Sequence, residues 1–152
     1  MEDHTPFDCV VDASVGIKLF LLEPLSEEAH ALFAHLADDT PARLFVPELF
    51  YVECANILWK YVKRYSYPAP EAAQAVAALV QLPLQRVAMV DLAEEALELA
   101  VEHGCTAYDA AYMALARSLE LPLITVDDAL VRRFADTDLV VRSLASLLGE
   151  SE

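Results

Sequence analysis

Basic side chains are scarce in this chain. Three lysines and seven arginines stand against 25 acidic residues in 152, a formal net charge of -15. Sequence-independent attachment to a phosphate backbone needs clustered Lys and Arg, and there is no basic stripe. The nearest groupings are Lys60, Lys63 and Arg64 on one helical pattern and Arg132-Arg133 on another. If the chain handles nucleic acid, divalent cations or a partner must supply part of the attraction. Cysteine is sparse too: Cys9, Cys54 and Cys105 are odd in number, far apart and without a second Cys or His at zinc-site spacing, which reads as reduced thiols rather than a disulfide framework or zinc centre. Long apolar runs are also missing, since the 57% of hydrophobic residues is broken by Pro or patterned at globular length, so nothing reads as a membrane span. The start, Met1-Glu2-Asp3-His4, is acidic where a secretory signal would be basic, and cytoplasmic residence is expected.

No internal repeat or long linker divides the chain. A length of 152 residues fits one domain, expected over residues 1–148 with a frayed tail at 149–152. Short apolar runs at Phe7 to Val11, Leu44 to Val46, Val87 to Val90, Leu123 to Val126 and Leu139 to Val141 read as buried strands. Helical patterns lie between them, at Ala13 to Leu22, Ser26 to Leu36, Pro47 to Tyr65, Glu71 to Leu82, after Asp91 to His103, from Thr106 to Glu120, and from Asp127 to Phe134, with a last turn at Ser143 to Leu148. Strands alternating with helices, without hairpin signals, predict a single-domain three-layer α/β/α fold around a central, mostly parallel sheet of about five strands. The helix at 71–82 is nearly uncharged, so it is either buried or a subunit contact.

Isolated carboxylates punctuate this pattern. Asp12 ends the first strand and Asp127 the fourth, which aims both at the rim of a parallel sheet where ligands bind. Asp109 enters the first turn of an otherwise small and apolar helix. Helix capping also accounts for each of these aspartates, Asp109 through the Thr106-x-x-Asp109 relation. Glu53 resists that account: its helical neighbours Leu49, Phe50 and Ile57 are apolar, Asn56 alone is polar, and no cation stands three or four residues away. A buried carboxylate is costly unless it is hydrogen-bonded, bound to metal or paired with a tertiary cation. Gathered at one rim, four such groups would raise each other's pKa values, and hard cations with oxygen ligands, Mg²⁺ or Mn²⁺, are the natural remedy. Ser14 and Thr125 add hydroxyls to the same rim, unless they are ordinary turn and strand residues.

The segments Val10-Val11-Asp12-Ala13-Ser14, Pro47 to Leu58 around Glu53, Thr106 to Ala116 around Asp109, and Leu123-Ile124-Thr125-Val126-Asp127 resemble, in order and spacing, the motifs of PIN-domain nucleases. They are most similar to the VapC-like toxins of prokaryotic toxin–antitoxin pairs. The resemblance implies a metal-dependent endoribonuclease in which Asp12, Glu53, Asp109 and Asp127 hold one or two Mg²⁺ or Mn²⁺ ions, with Ser14, Thr125 and Asn56 as supporting polar residues. It further implies an RNA substrate, a VapB-like antitoxin and a homodimer or higher homo-oligomer. Arg132, Arg133 and Lys60 are weaker candidates for phosphate contacts. A dehalogenase-like phosphatase would need a second Asp where Ser14 stands, and a receiver domain a Lys where Arg142 stands. The remaining alternatives are a PIN-like binding or dimerisation module with an idle site and a stand-alone RNA-processing nuclease.

Overall fold

A computed structural model describes residues 6–147. Five strands, β1 (Cys9–Val11), β2 (Leu44–Pro47), β3 (Gln85–Val87), β4 (Leu123–Thr125) and β5 (Val141–Ser143), form one sheet in the order β3-β2-β1-β4-β5. Every pairing is parallel, with Val10 opposite Phe45 on one side and Leu123 on the other. The central strands β1 and β4 are buried throughout, whereas the edges β3 and β5 are partly exposed. Parallel strands covered on both faces favour the continuous Val, Ile and Leu runs seen at the centre.

Among the described residues, seven α-helices connect and cover the sheet: α1 (Ala13–Gly16), α2 (Ser26–Ala34), α3 (Leu49–Tyr65), α4 (Ala69–Gln81), α5 (Ala93–His103), α6 (Ala107–Leu119) and α7 (Asp128–Arg133). Every residue of α6 from Ala110 to Ala116 is buried, because its alanines let the helix settle closely on β1 and β2 while α5 covers its other side. The Thr106 hydroxyl accepts a hydrogen bond from the Asp109 amide at 3.1 Å, the capping contact anticipated from the sequence, and Gly104 ends α5 in the left-handed region at φ 67°.

Several boundaries differ from expectation. The third strand is Gln85–Val87 rather than Val87 to Val90, and Met89–Asp91 is a 3₁₀ turn; the fifth is Val141–Ser143 rather than Leu139 to Val141. Pro47 ends β2 instead of opening α3, which begins two residues later at Leu49. Leu92, which precedes α5, offers no side-chain acceptor to its first turn. The apparent strand at Phe7 starts only at Cys9, because the buried Asp8 carboxylate accepts the Arg43 backbone amide at 2.7 Å and pairs with its guanidinium. Helix α4 buries Ala75 and Leu79 but exposes Val80, so the option of full burial is excluded for it. The expected tail at 149–152 lies outside the described residues.

Candidate active site

The sheet order reverses direction between β1 and β4: the chain steps outward through β2 and β3, then returns to β4 on the other side of β1. At such a switch point the connections leave opposite faces and open a crevice at the carboxyl ends of the strands. Asp12 leaves β1 there and Asp127 follows β4 by two residues. Register brings Val11 level with Ile124, so Asp12 lies beside Thr125, and the Asp12 amide donates to the Ile124 carbonyl at 3.1 Å.

The Asp12 carboxylate does not cap α1. Its Oδ2 instead accepts hydroxyl protons from Thr125 at 2.9 Å and Ser14 at 3.0 Å. The Asp127 and Val126 amides donate in turn to those hydroxyls, at 3.1 and 3.4 Å. Ser14 and Thr125 thus fix one oxygen of Asp12. Burial pushes the Asp12 carboxyl above the usual range, the two hydroxyls pull it back, and the charge of Asp109 raises it again.

Glu53, half-buried on α3, has no Arg or Lys at ion-pair distance among the described residues, so the tertiary cation left open by the sequence is absent there. Its partner is Tyr112, whose hydroxyl donates to Oε1 at 2.6 Å. Burial raises the Glu53 carboxyl, the tyrosine hydrogen bond lowers it, and Asp12 and Asp109 both raise it. Asp109 is raised by burial and by Asp127, and lowered by Thr106 and the Arg133 guanidinium. The carboxylates therefore form an electrostatically linked set: Asp12 with Glu53 and Asp109, Glu53 with Asp109, and Asp109 with Asp127. Asp127 also caps α7, its Oδ1 accepting the Ala129 and Leu130 amides at 3.0 and 3.3 Å. Capping and a place at the rim coexist in this residue.

Two hollows flank the set. One, of about 460 Å³, is lined by Cys105, Thr106, Asp109, Asp127 and Arg133, whose guanidinium donates to the Gly104 carbonyl at 2.6 Å. The other, of about 400 Å³, runs along α3 past Glu53, Asn56, Ile57 and Lys60 to Tyr108. Arg133 and Lys60 thus border the site, and Asn56 lies in the second hollow away from Asp12. Among the described residues, no three His, Cys, Asp or Glu side chains converge tightly enough to enclose one ion between them.

Sequence reasoning did not assign a role to Tyr112. The available signal was its spacing, since Tyr112 stands three residues after Asp109 and so shares its helix face one turn on.

Four linked carboxylates at the switch point of a parallel sheet define an acidic rim site of the α/β class. The PIN domain family matches residues 9–136, and the chain belongs to that family. It is similar to ribonuclease VapC3 of Pyrobaculum aerophilum, at 33% identity over 127 residues that cover 82% of this chain and 93% of the relative. The crystal structure of a P. aerophilum protein superposes with a TM-score of 0.69 at 25% identity, covering 93% of this chain and 87% of the other. A toxin–antitoxin complex from Klebsiella pneumoniae contains the same fold, with a TM-score of 0.62 at 21% identity over 89% of this chain and 97% of that one. Among the described residues no helix is long and apolar enough to cross a membrane.

Proposed function

We propose that this chain is a divalent-metal-dependent endoribonuclease and the toxin of a VapBC-type toxin–antitoxin pair. The observation that carries the reading is the gathering of Asp12, Glu53, Asp109 and Asp127 at one rim, where burial first and their mutual charge second raise the carboxyls of the first three. Mutual repulsion of this kind is what a bound Mg²⁺ or Mn²⁺ relieves, and the donors are the hard oxygens such ions prefer. An open arrangement suits them, because Mg²⁺ is commonly held by one or two carboxylates with water and substrate phosphate completing its shell. When bound, such an ion supplies Lewis acidity at the phosphate and lowers the pKa of water.

The chain's own residues do the rest. Ser14 and Thr125 hold Asp12 by one oxygen and leave Oδ1 turned from those bonds. Tyr112 holds Glu53 in the same way. Arg133 stands beside the first hollow, where it offers a cation to a phosphate oxygen of the bound strand. Similarity to a named ribonuclease supports RNA as the substrate, and the fold shared with a toxin–antitoxin complex supports an antitoxin partner.

A second reading, a binding or dimerisation module, is favoured by apolar side chains left on the surface: Leu97 and Val101, one turn apart on α5, are 61% and 76% exposed. A homodimer through such a face is compatible with the nuclease reading as well.

The deciding experiment incubates the protein and a folded Asp109→Asn variant with a labelled structured RNA in Mn²⁺, Mg²⁺ or EDTA. Cleavage that needs metal and vanishes in the variant is expected. Protein that binds Mn²⁺ yet cleaves neither this RNA nor total cellular RNA would establish the module instead.

A further inference from the structure

Cations in this acidic chain are unevenly committed. Lys18 is buried against Glu23 at 3.6 Å, Arg43 pairs with Asp8, Arg117 with Glu95, and Arg86 and Arg133 donate to the Val80 and Gly104 carbonyls. Lys60, Lys63 and Arg64, all on α3, form no ion pair with the described residues. The surface they share also carries aromatic rings, with Lys63 Nζ 5.1 Å from the centroid of Trp59, itself 55% exposed.

Along α3, Glu53, Asn56, Lys60 and Arg64 follow one another at intervals of three, four and four, which places them in one stripe. At about 1.5 Å of rise per residue, Lys60 lies roughly 10 Å from Glu53 along the helix. The hollow between them is closed on its far side by Tyr108, which is 63% exposed and directly precedes Asp109. A flat ring, an amide and a cation thus line a space that opens beside Glu53.

We infer that the hollow between α3 and the start of α6 receives an unpaired nucleotide of the RNA strand next to the phosphate that is cut, its base against the ring of Tyr108 and its phosphate toward Lys60. This inference rests on the nuclease reading above. Surfaces that bind single strands combine cations that follow the backbone with aromatic faces on which bases stack. A duplex keeps its bases stacked on each other, so only a splayed or looped base reaches the ring. Leu49, Val52 and Ile57 line the hollow beside Lys60 and Asn56, so a flat base finds apolar walls and its phosphate a cation, whereas a wholly apolar protein segment would cover Lys60 and Asn56 without satisfying them.

The test measures fluorescence anisotropy with a non-cleavable 2′-O-methyl oligoribonucleotide, single-stranded and as its duplex, on wild type, Tyr108→Ala, Tyr108→Phe and Lys60→Ala. Circular dichroism checks folding, and cleavage of the matching RNA is followed in Mn²⁺. Tyr108→Ala should weaken single-strand binding about tenfold and raise KM more than it lowers kcat, while Tyr108→Phe behaves as wild type. Lys60→Ala should reduce the salt slope of binding by about one. Duplex binding should not respond to Tyr108→Ala. Unchanged single-strand binding and cleavage in folded Tyr108→Ala and Lys60→Ala would overturn the inference while the nuclease stands. A changed oligomeric state in Tyr108→Ala with RNA affinity intact would overturn it in favour of a protein interface. Wild type that neither binds nor cleaves any RNA would sink the nuclease reading and this inference with it.

Discussion

The Tyr112 hydroxyl donates to Glu53 Oε1 at 2.6 Å and so ties α6, which carries Asp109, to α3 at the level of the acidic rim. Tyr112 is 2% exposed, and burial together with the Glu53 charge pushes its phenol far above the ordinary value. The donor therefore keeps its proton throughout the physiological range, and Glu53 stays oriented whatever its own protonation state.

Tyr112→Phe retains the ring and deletes that donor. Stability in the metal-free protein should fall by about 1–2 kcal/mol, because a half-buried carboxylate loses its hydrogen bond. RNA cleavage should fall about tenfold or more, the usual scale for losing a group that orients a ligand. The hydrogen bond also lowers the Glu53 carboxyl, so the rising limb of the pH–rate profile should move to higher pH. Chemical unfolding and a pH series check both effects, and an unmoved limb would deny Tyr112 a positioning role.

Asp12 makes a pH prediction of opposite sense to the usual salt-bridged aspartate. Its carboxyl is raised in the folded protein, so the native state binds the proton more tightly than the unfolded chain does. Stability is thus highest below the unfolded value and declines as pH rises through the folded one. In EDTA, Asp12→Asn should melt above wild type near pH 8, with the gap closing toward about pH 4 as the wild-type carboxyl takes up its proton. Added Mn²⁺ should raise the melting temperature of wild type and leave that of the variant almost unchanged. A variant that melts below wild type at every pH would show that its hydroxyl contacts outweigh the buried charge.

The three thiols should separate by reactivity. Burial pushes Cys9 up to about 12 and Cys54 higher still, with nearby acidic charges adding to both. Cys105 is partly exposed and borders the first hollow. Near pH 8, a disulfide reagent should modify one thiol per native chain, at Cys105 by mass spectrometry, and three after denaturation. Modification of Cys9 or Cys54 at a comparable rate would mean that the core opens locally.

How far the sequence exposes all this depends on what each residue answers to. The central strands were legible because burial on both faces forces Val10-Val11 and Leu123-Ile124 to be apolar. The edge strands escape such a pattern for the converse reason. Gln85 and Arg86 pair with β2 through their backbone while their side chains reach solvent, and the apolar Val90 that suggested a strand is 82% exposed in a turn. Asp12 and Asp127 were legible because strand ends fix where they point. Its spacing from Asp109 marks the helix face of Tyr112, but its pairing with Glu53 depends on how α3 and α6 meet, which spacing alone does not encode.

Gly16 sets how closely α1 and α3 approach, and with it the rim that Asp12 and Glu53 share. A Cβ built there would stand 2.5 Å from Cζ and 2.8 Å from Cε2 of Phe50, a side chain with no exposure. Alanine would ordinarily favour a helix over glycine by about 1 kcal/mol. Here the clash should win, because Phe50 is enclosed and overpacking a dense core costs about 1–3 kcal/mol. Phe50 lies one turn before Glu53, so relief by moving α3 also displaces that carboxylate. Gly16→Ala should therefore lose cleavage beyond what its lowered melting temperature explains. Adding Phe50→Leu should recover part of both losses, giving a coupling of about 1 kcal/mol or more between the two positions in a double-mutant cycle. Additive effects would mean that α1 and α3 adjust independently and that their contact does not set the spacing of the carboxylates.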